Sequence, residues 1–121
     1  MASIILVRDI MSKDVKVVRP DTTVKEVVAT MNKFNIGSII VVQSDRPVGI
    51  ITERDILRRL VEQSLAPEIL TAKQVMTSPV LTINENATIE EAAKFMVNKK
   101  VKKLPVMNNG RLVGIITFTD I

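Results

Sequence analysis

The sequence repeats itself, and the repeat limits the fold more than any other feature. Residues 10–56 lie over residues 75–121 without a gap. The match is densest at its end, where Val48-Gly49-Ile50-Ile51-Thr52-Glu53-Arg54-Asp55-Ile56 returns as Val113-Gly114-Ile115-Ile116-Thr117-Phe118-Thr119-Asp120-Ile121, an offset of 65 residues. Met11, Val15, Thr23, Glu26, Met31, Val41 and Arg46 recur at the same offset as Met76, Val80, Thr88, Glu91, Met96, Val106 and Arg111. A self-match at fixed spacing marks a duplicated supersecondary unit. The chain must therefore build one short motif twice.

Both copies read alike. A short apolar strand (Val15–Val18, Val80–Ile83) leads through a polar turn to Thr23-x-x-Glu26 or Thr88-x-x-Glu91. These are capping boxes, and each opens an apolar helical pattern: Val24, Val27, Val28 and Met31, then Ile89, Ala92, Ala93 and Met96. Two strands joined by a tight loop follow, Ser38–Val42 with Val48–Thr52 and Leu104–Met107 with Leu112–Thr117. Asn109-Gly110 is the stronger hairpin signal of the two. The first copy continues into a helix with Ile56, Leu57, Leu60 and Val61 on one face. In the second copy the sequence stops at Ile121, so that final helix is missing. The boundaries expected are a first unit over 8–65, a connector over 66–73 and a second unit over 74–121.

Composition narrows the chemistry. With no cysteine and no histidine, thiol nucleophiles, imidazole acid–base catalysis and the usual zinc sites are all excluded. Missing cysteines also fit a reducing, cytoplasmic location. Three Phe with no Trp or Tyr give no aromatic platform for stacking bases, and the net charge of +4 is modest. Nucleic acid is therefore disfavoured, although Lys99-Lys100-Val101-Lys102-Lys103 is a basic run whose bland reading is a solvated edge. No apolar run is long enough to span a bilayer. The start, Met1 to Arg8, lacks a signal-peptide pattern and reads as a short strand. The carboxylates have no nucleophile or metal cage beside them, so neither catalytic nor metal-ligating residues are expected.

The remaining chemistry is the Thr-x-x-Asp at each strand-to-helix junction. Such a junction offers backbone N–H groups, a hydroxyl and a carboxylate at one point, which suits a phosphate and a sugar diol. The same residues also make an ordinary helix cap. Sequence alone leaves both readings open.

Taken with Asp9-Ile10-Met11, the capped helices and the apolar strand pairs, the doubled Gly-x-x-Thr-x-x-Asp (Gly49, Thr52, Asp55; Gly114, Thr117, Asp120) closely resembles the CBS domain, the small module named after cystathionine β-synthase. The resemblance runs from about Arg8 to Ile121 in both copies. It implies an α/β (α+β) fold: two β-α-β-β-α units packed through their sheets with pseudo-two-fold symmetry, often called a Bateman module. It also implies a regulatory, non-catalytic role, two clefts for adenosyl ligands (AMP, ADP, ATP, S-adenosylmethionine or NAD), no required cofactor, a homodimer and an effector protein as partner. One implied site takes Thr52, Arg54 and Asp55 with Val80, Leu81, Thr82, Val101, Lys102 and Lys103. The other takes Thr117 and Asp120 with Val15, Lys16, Val17, Ile36, Gly37 and Ser38. The cations of the first set make it the better polyphosphate site. The second is expected to bind AMP or adenosine-like groups weakly, or to stand empty. Two rival readings are a ligand-free dimerisation scaffold and a nucleic-acid-binding member of the same family.

Overall fold

The computed structural model, which describes residues 4–121, builds the doubled motif from helices of at most 11 residues and strands of at most 7. In order they are α1 (Val7–Ile10), β1 (Val17–Val18), α2 (Val24–Phe34), β2 (Ser38–Gln43), β3 (Arg46–Thr52), α3 (Glu53–Gln63), α4 (Ala72–Val75), β4 (Ile83–Asn84), α5 (Ile89–Lys99), β5 (Lys103–Asn108) and β6 (Arg111–Thr117), closed by a 3₁₀ turn at Phe118–Asp120. The mixed α/β class and both hairpins agree with the sequence reading.

Contacts divide the chain into two bodies, one over 16–80 and the other joining the N-terminal residues up to 15 with 81–121. These boundaries differ from the 8–65 and 74–121 units of the sequence repeat. The difference has a specific cause: the segment that begins each repeat packs on the other repeat. Val24 N–H donates to Leu70 C=O (2.8 Å) and Thr23 bridges Thr71, so the segment carrying α4 seals the first repeat. At the corresponding positions, Ile89 N–H donates to Ile5 C=O (3.1 Å) and Leu6 bridges Thr88. The stretch 66–73, expected as a connector, is therefore partly core, with Leu70 and Ala72 fully buried. The strand expected at the N-terminus is only the single bridge at Leu6 followed by α1, and Met1 to Ser3 lie outside the described residues.

In the 16–80 body the sheet order is β1-β2-β3. β1 runs parallel to β2, with Val17 opposite Ile40, and β2 runs antiparallel to β3, with Ser38 opposite Thr52. The core is aliphatic: Val24, Val27 and Met31 from α2, Ile39 and Val41 from β2, Ile51 from β3, and Leu70, Ala72 and Val75 from the docked segment. Thr23 Oγ1 accepts from Glu26 N–H (3.2 Å), and Asn35 ends α2 in the left-handed region. The α3 face divides: Ile56 and Leu60 turn inward, while Leu57 and Val61 are exposed.

The other body repeats this plan with the order β4-β5-β6. Ala92, Met96, Leu104, Val106 and Ile116 form its core with Val7 of α1. Its capping box closes both ways, with Thr88 N–H on Glu91 Oε1 (3.1 Å) and Glu91 N–H on Thr88 Oγ1 (3.1 Å). Duplication extends to irregularities, since the register slips at Val41/Val42 and again at Val106/Met107. Both hairpins use two-residue loops with positive φ at each position, Ser44-Asp45 and Asn109-Gly110. That is the primed-turn geometry that matches strand twist.

Candidate functional site

Each β-hairpin ends by feeding its last threonine into a helical turn, and there the expected functional groups lie. In the 16–80 body Thr52 closes β3 and caps α3. Asp55 Oδ2 accepts from Thr52 N–H (2.9 Å) and from Thr52 Oγ1–H (3.0 Å), and Asp55 N–H returns a bond to Thr52 Oγ1 (3.2 Å). Thr77 Oγ1–H adds a bond to Asp55 Oδ1 (3.2 Å). Glu53 N–H is taken by Gly37 C=O (3.2 Å). Three of the four N–H groups from Thr52 to Asp55 are thus used inside the body, fewer free donors than the sequence suggests.

A carboxylate has about four lone-pair positions, and three of those on Asp55 already hold a donor. About one remains for an outside hydroxyl. To take both hydroxyls of a ribose, Asp55 must release Thr52 or Thr77.

The equivalent junction is looser. Asp120 Oδ2 accepts from Thr117 N–H (3.0 Å), while the Thr117 hydroxyl pairs with Thr119 Oγ1 (2.9 Å) instead of with Asp120. Phe118 N–H is held by Lys102 C=O (2.8 Å). The carboxylate of Asp120 accordingly keeps more open acceptor capacity than that of Asp55.

Of the expected site residues, the fold brings several together within one body. Ile36, Gly37 and Ser38 lead into β2 beside Thr52 and Asp55; Ser38 is 8% exposed and pairs across the ladder with Thr52. Val101, Lys102 and Lys103 lead into β5 beside Thr117 and Asp120, with Lys103 opposite Thr117. Arg54 is exposed in the first turn of α3. Val15 is half-buried, Val17 is exposed on β1, and Lys16 lies with its ammonium 4.2 Å from the Phe34 ring centroid. Val80 is half-buried in the 16–80 body. Leu81 is exposed and Thr82 half-buried just before β4 in the other.

Two participants escaped the sequence reading. Thr77 holds Asp55 because Ile50 and Thr77 exchange backbone bonds (3.1 and 2.9 Å), which sets its hydroxyl beside the cap. A signal for it existed: offset by 65 it aligns with Ser12, another hydroxyl following a methionine, and Ser12 bridges Ile115 in the same way. Phe34 holds Lys16 by a cation–π contact, which periodicity within α2 could not reveal. Among the described residues no group of His, Cys, Asp or Glu side chains could hold a metal ion, and no helix is long and apolar enough to cross a membrane.

Comparison with known proteins accounts for this arrangement. The sequence model of the CBS domain matches twice, over residues 7–62 and 72–121. An uncharacterised protein of Methanopyrus kandleri is 38% identical over 95% of this chain, which spans 60% of that protein's length. Inosine-5′-monophosphate dehydrogenase of Methanocaldococcus jannaschii is 36% identical over 93% of this chain, and the match occupies only 22% of that enzyme. Among solved structures, the CBS domain pair of protein MJ0100, in complex with 5′-methylthioadenosine and S-adenosyl-L-methionine, superposes with a TM-score of 0.85 at 30% identity, covering 98% of this chain and 93% of that one. The repeat, the doubled sheet and the paired Thr-x-x-Asp junctions thus have one explanation: the chain belongs to the CBS domain family and carries two CBS domains in tandem.

Proposed function

We propose that this chain is a regulatory module that senses an adenosyl ligand, foremost an adenine nucleotide, and has no catalysis of its own. The observation that carries the reading is the pair of Thr-x-x-Asp junctions, each beside the start of a β-strand, in a chain whose structural neighbour holds two adenosyl compounds. In this reading Asp55 and Asp120 accept ribose hydroxyls, charge-assisted bonds stronger than neutral ones. Thr52 and Thr117 face phosphate or its replacement. Val15, Lys16 and Val17, with Ile36, Gly37 and Ser38, complete the Asp120 set. Val80, Leu81 and Thr82, with Val101, Lys102 and Lys103, complete the Asp55 set. These assignments rest on the family. Arg54, Lys102 and Lys103 are the cations for a polyphosphate.

Ligand shifts the module towards whichever arrangement binds it more tightly, so its effect on an effector is bounded by that difference in affinity. A homodimer and a cytoplasmic setting belong to the same proposal. The observation favouring the rival scaffold is that three internal donors already hold Asp55, as in a simple cap.

A thermal-shift panel with AMP, ADP, ATP, S-adenosylmethionine and NADH, followed by calorimetry, tests it. A ligand at 100 times its dissociation constant adds about 2.7 kcal/mol of stability, several degrees for a domain of this size. Asp55→Ala is expected to weaken ATP more than Asp120→Ala does. The reverse order overturns the assignment of the polyphosphate site, and no shift with any ligand overturns the sensor.

A further inference from the structure

The two oxygens of the Asp55 carboxylate are held unequally. Thr52 places both its N–H (2.9 Å) and its hydroxyl (3.0 Å) on Oδ2, and the same hydroxyl accepts from Asp55 N–H (3.2 Å). Breaking any of these loosens the capping box that opens α3. Oδ1 carries a single donor, the hydroxyl of Thr77, at 3.2 Å the longest of the three contacts to the carboxylate. Thr77 is exposed, while its backbone is fixed by paired bonds to Ile50 (3.1 and 2.9 Å). Its hydroxyl therefore turns away by rotation of one side-chain bond, with the chain unmoved. Ser12 pairs with Ile115 in the same manner, yet among the described residues its hydroxyl makes no bond to Asp120. The outside donor on the carboxylate belongs to one junction and not to its counterpart.

We infer that Thr77 is a positioning residue for Asp55: by occupying Oδ1 it leaves room for one ligand hydroxyl, so this junction distinguishes a ribose diol only weakly from a deoxyribose. This deepens the adenosyl reading above and rests on it. The second hydroxyl of a diol has to displace Thr77, exchanging one hydrogen bond for another with little net gain. Without that donor, the second hydroxyl meets an open acceptor position and gains a bond outright. Thr77 thus acts on sugar selectivity through Asp55, not by touching the ligand.

The experiment is calorimetry on the full chain with ATP, 2′-deoxy-ATP and 3′-deoxy-ATP, comparing wild type with Thr77→Val and Thr77→Ser. Valine keeps the branched shape and the backbone pairing but removes the donor, whereas serine retains it. Thr77→Val is expected to bind ATP about three- to tenfold more tightly than wild type and both deoxy ligands within about twofold of it. Thr77→Ser is expected to match wild type. If Thr77→Val leaves the ratios of ATP to the deoxy ligands unchanged, or weakens all three alike, Thr77 has no such role and the adenosyl reading stands. If none of the three binds wild type or either variant, the nucleotide reading of this junction falls and takes the inference with it.

Discussion

The first repeat and the second have the same backbone plan, but they tie it together with different strength. At the first junction Thr52 and Asp55 satisfy each other reciprocally and Thr77 adds a third donor. At the second, a single backbone bond reaches Asp120 and the threonine hydroxyl turns elsewhere. The docked segments differ too. Leu70 is fully buried in the core of the 16–80 body, whereas its counterpart Ile5 is 42% exposed. A duplicated motif thus preserves hydrogen-bond topology while side-chain burial and acceptor capacity drift apart. Three donors occupy the Asp55 carboxylate and one occupies that of Asp120, so the two differ in acceptor capacity, whereas the cations Arg54, Lys102 and Lys103 belong to the expected Asp55 set.

The largest expected effect tests the docked segments. Leu70→Ala should cost about 2–5 kcal/mol, as deletion of a fully buried leucine does, while Ile5→Ala should cost under about 1 kcal/mol. Chemical denaturation of the two variants measures this, and equal losses would break the comparison.

Next come the glycines under the docked methionines. The atoms nearest to a Cβ at Gly49 would be Met76 Sδ, Cγ (2.8 Å) and Cβ (3.0 Å); at Gly114 they would be Met11 Sδ (2.6 Å), the Ser12 carbonyl oxygen (2.9 Å) and Met11 Cγ (3.0 Å). The outer atoms of a methionine can swing away, whereas its Cβ and a backbone carbonyl held in a β-bridge cannot. Both substitutions overpack and should each lose about 1–3 kcal/mol, with Gly114→Ala at the upper end because a carbonyl oxygen is among its nearest atoms. Adding Met76→Leu should change the Gly49→Ala loss, and a double-mutant cycle reads that coupling.

The smallest effect concerns the caps. Thr52→Ala removes an N-cap acceptor and a donor to Asp55, a loss of about 1–2 kcal/mol; Thr117→Ala should lose less, under about 1 kcal/mol, because its hydroxyl pairs with Thr119 and it caps a turn of only three residues. Thermal denaturation without ligand separates the two.

Much of this organisation was legible in the chain. Periodicity placed α2 and α5, because Val24, Val27 and Met31 and then Ala92 and Met96 bury the faces their spacing draws. The second hairpin was legible from Asn109-Gly110, since those residues accept positive φ readily. Ser44-Asp45 was harder to read, because Asp tolerates positive φ but Ser signals it only weakly and no Gly stands in the loop. The α3 stripe misled: Leu57 and Val61 continue an apolar pattern but face solvent. Local spacing records that a residue is apolar, not that a neighbour covers it.

What the sequence determined by itself was the duplication, the family resemblance and the position of each Thr-x-x-Asp, because all three depend on order along the chain. Tertiary structure alone decided that each leading segment seals the opposite repeat, that Thr77 reaches Asp55, and that Glu53 lies over Gly37. Each of these is a contact between residues well apart in sequence. Hydrogen bonds and burial are short-ranged in space and indifferent to sequence separation, so only the folded backbone selects which partners meet.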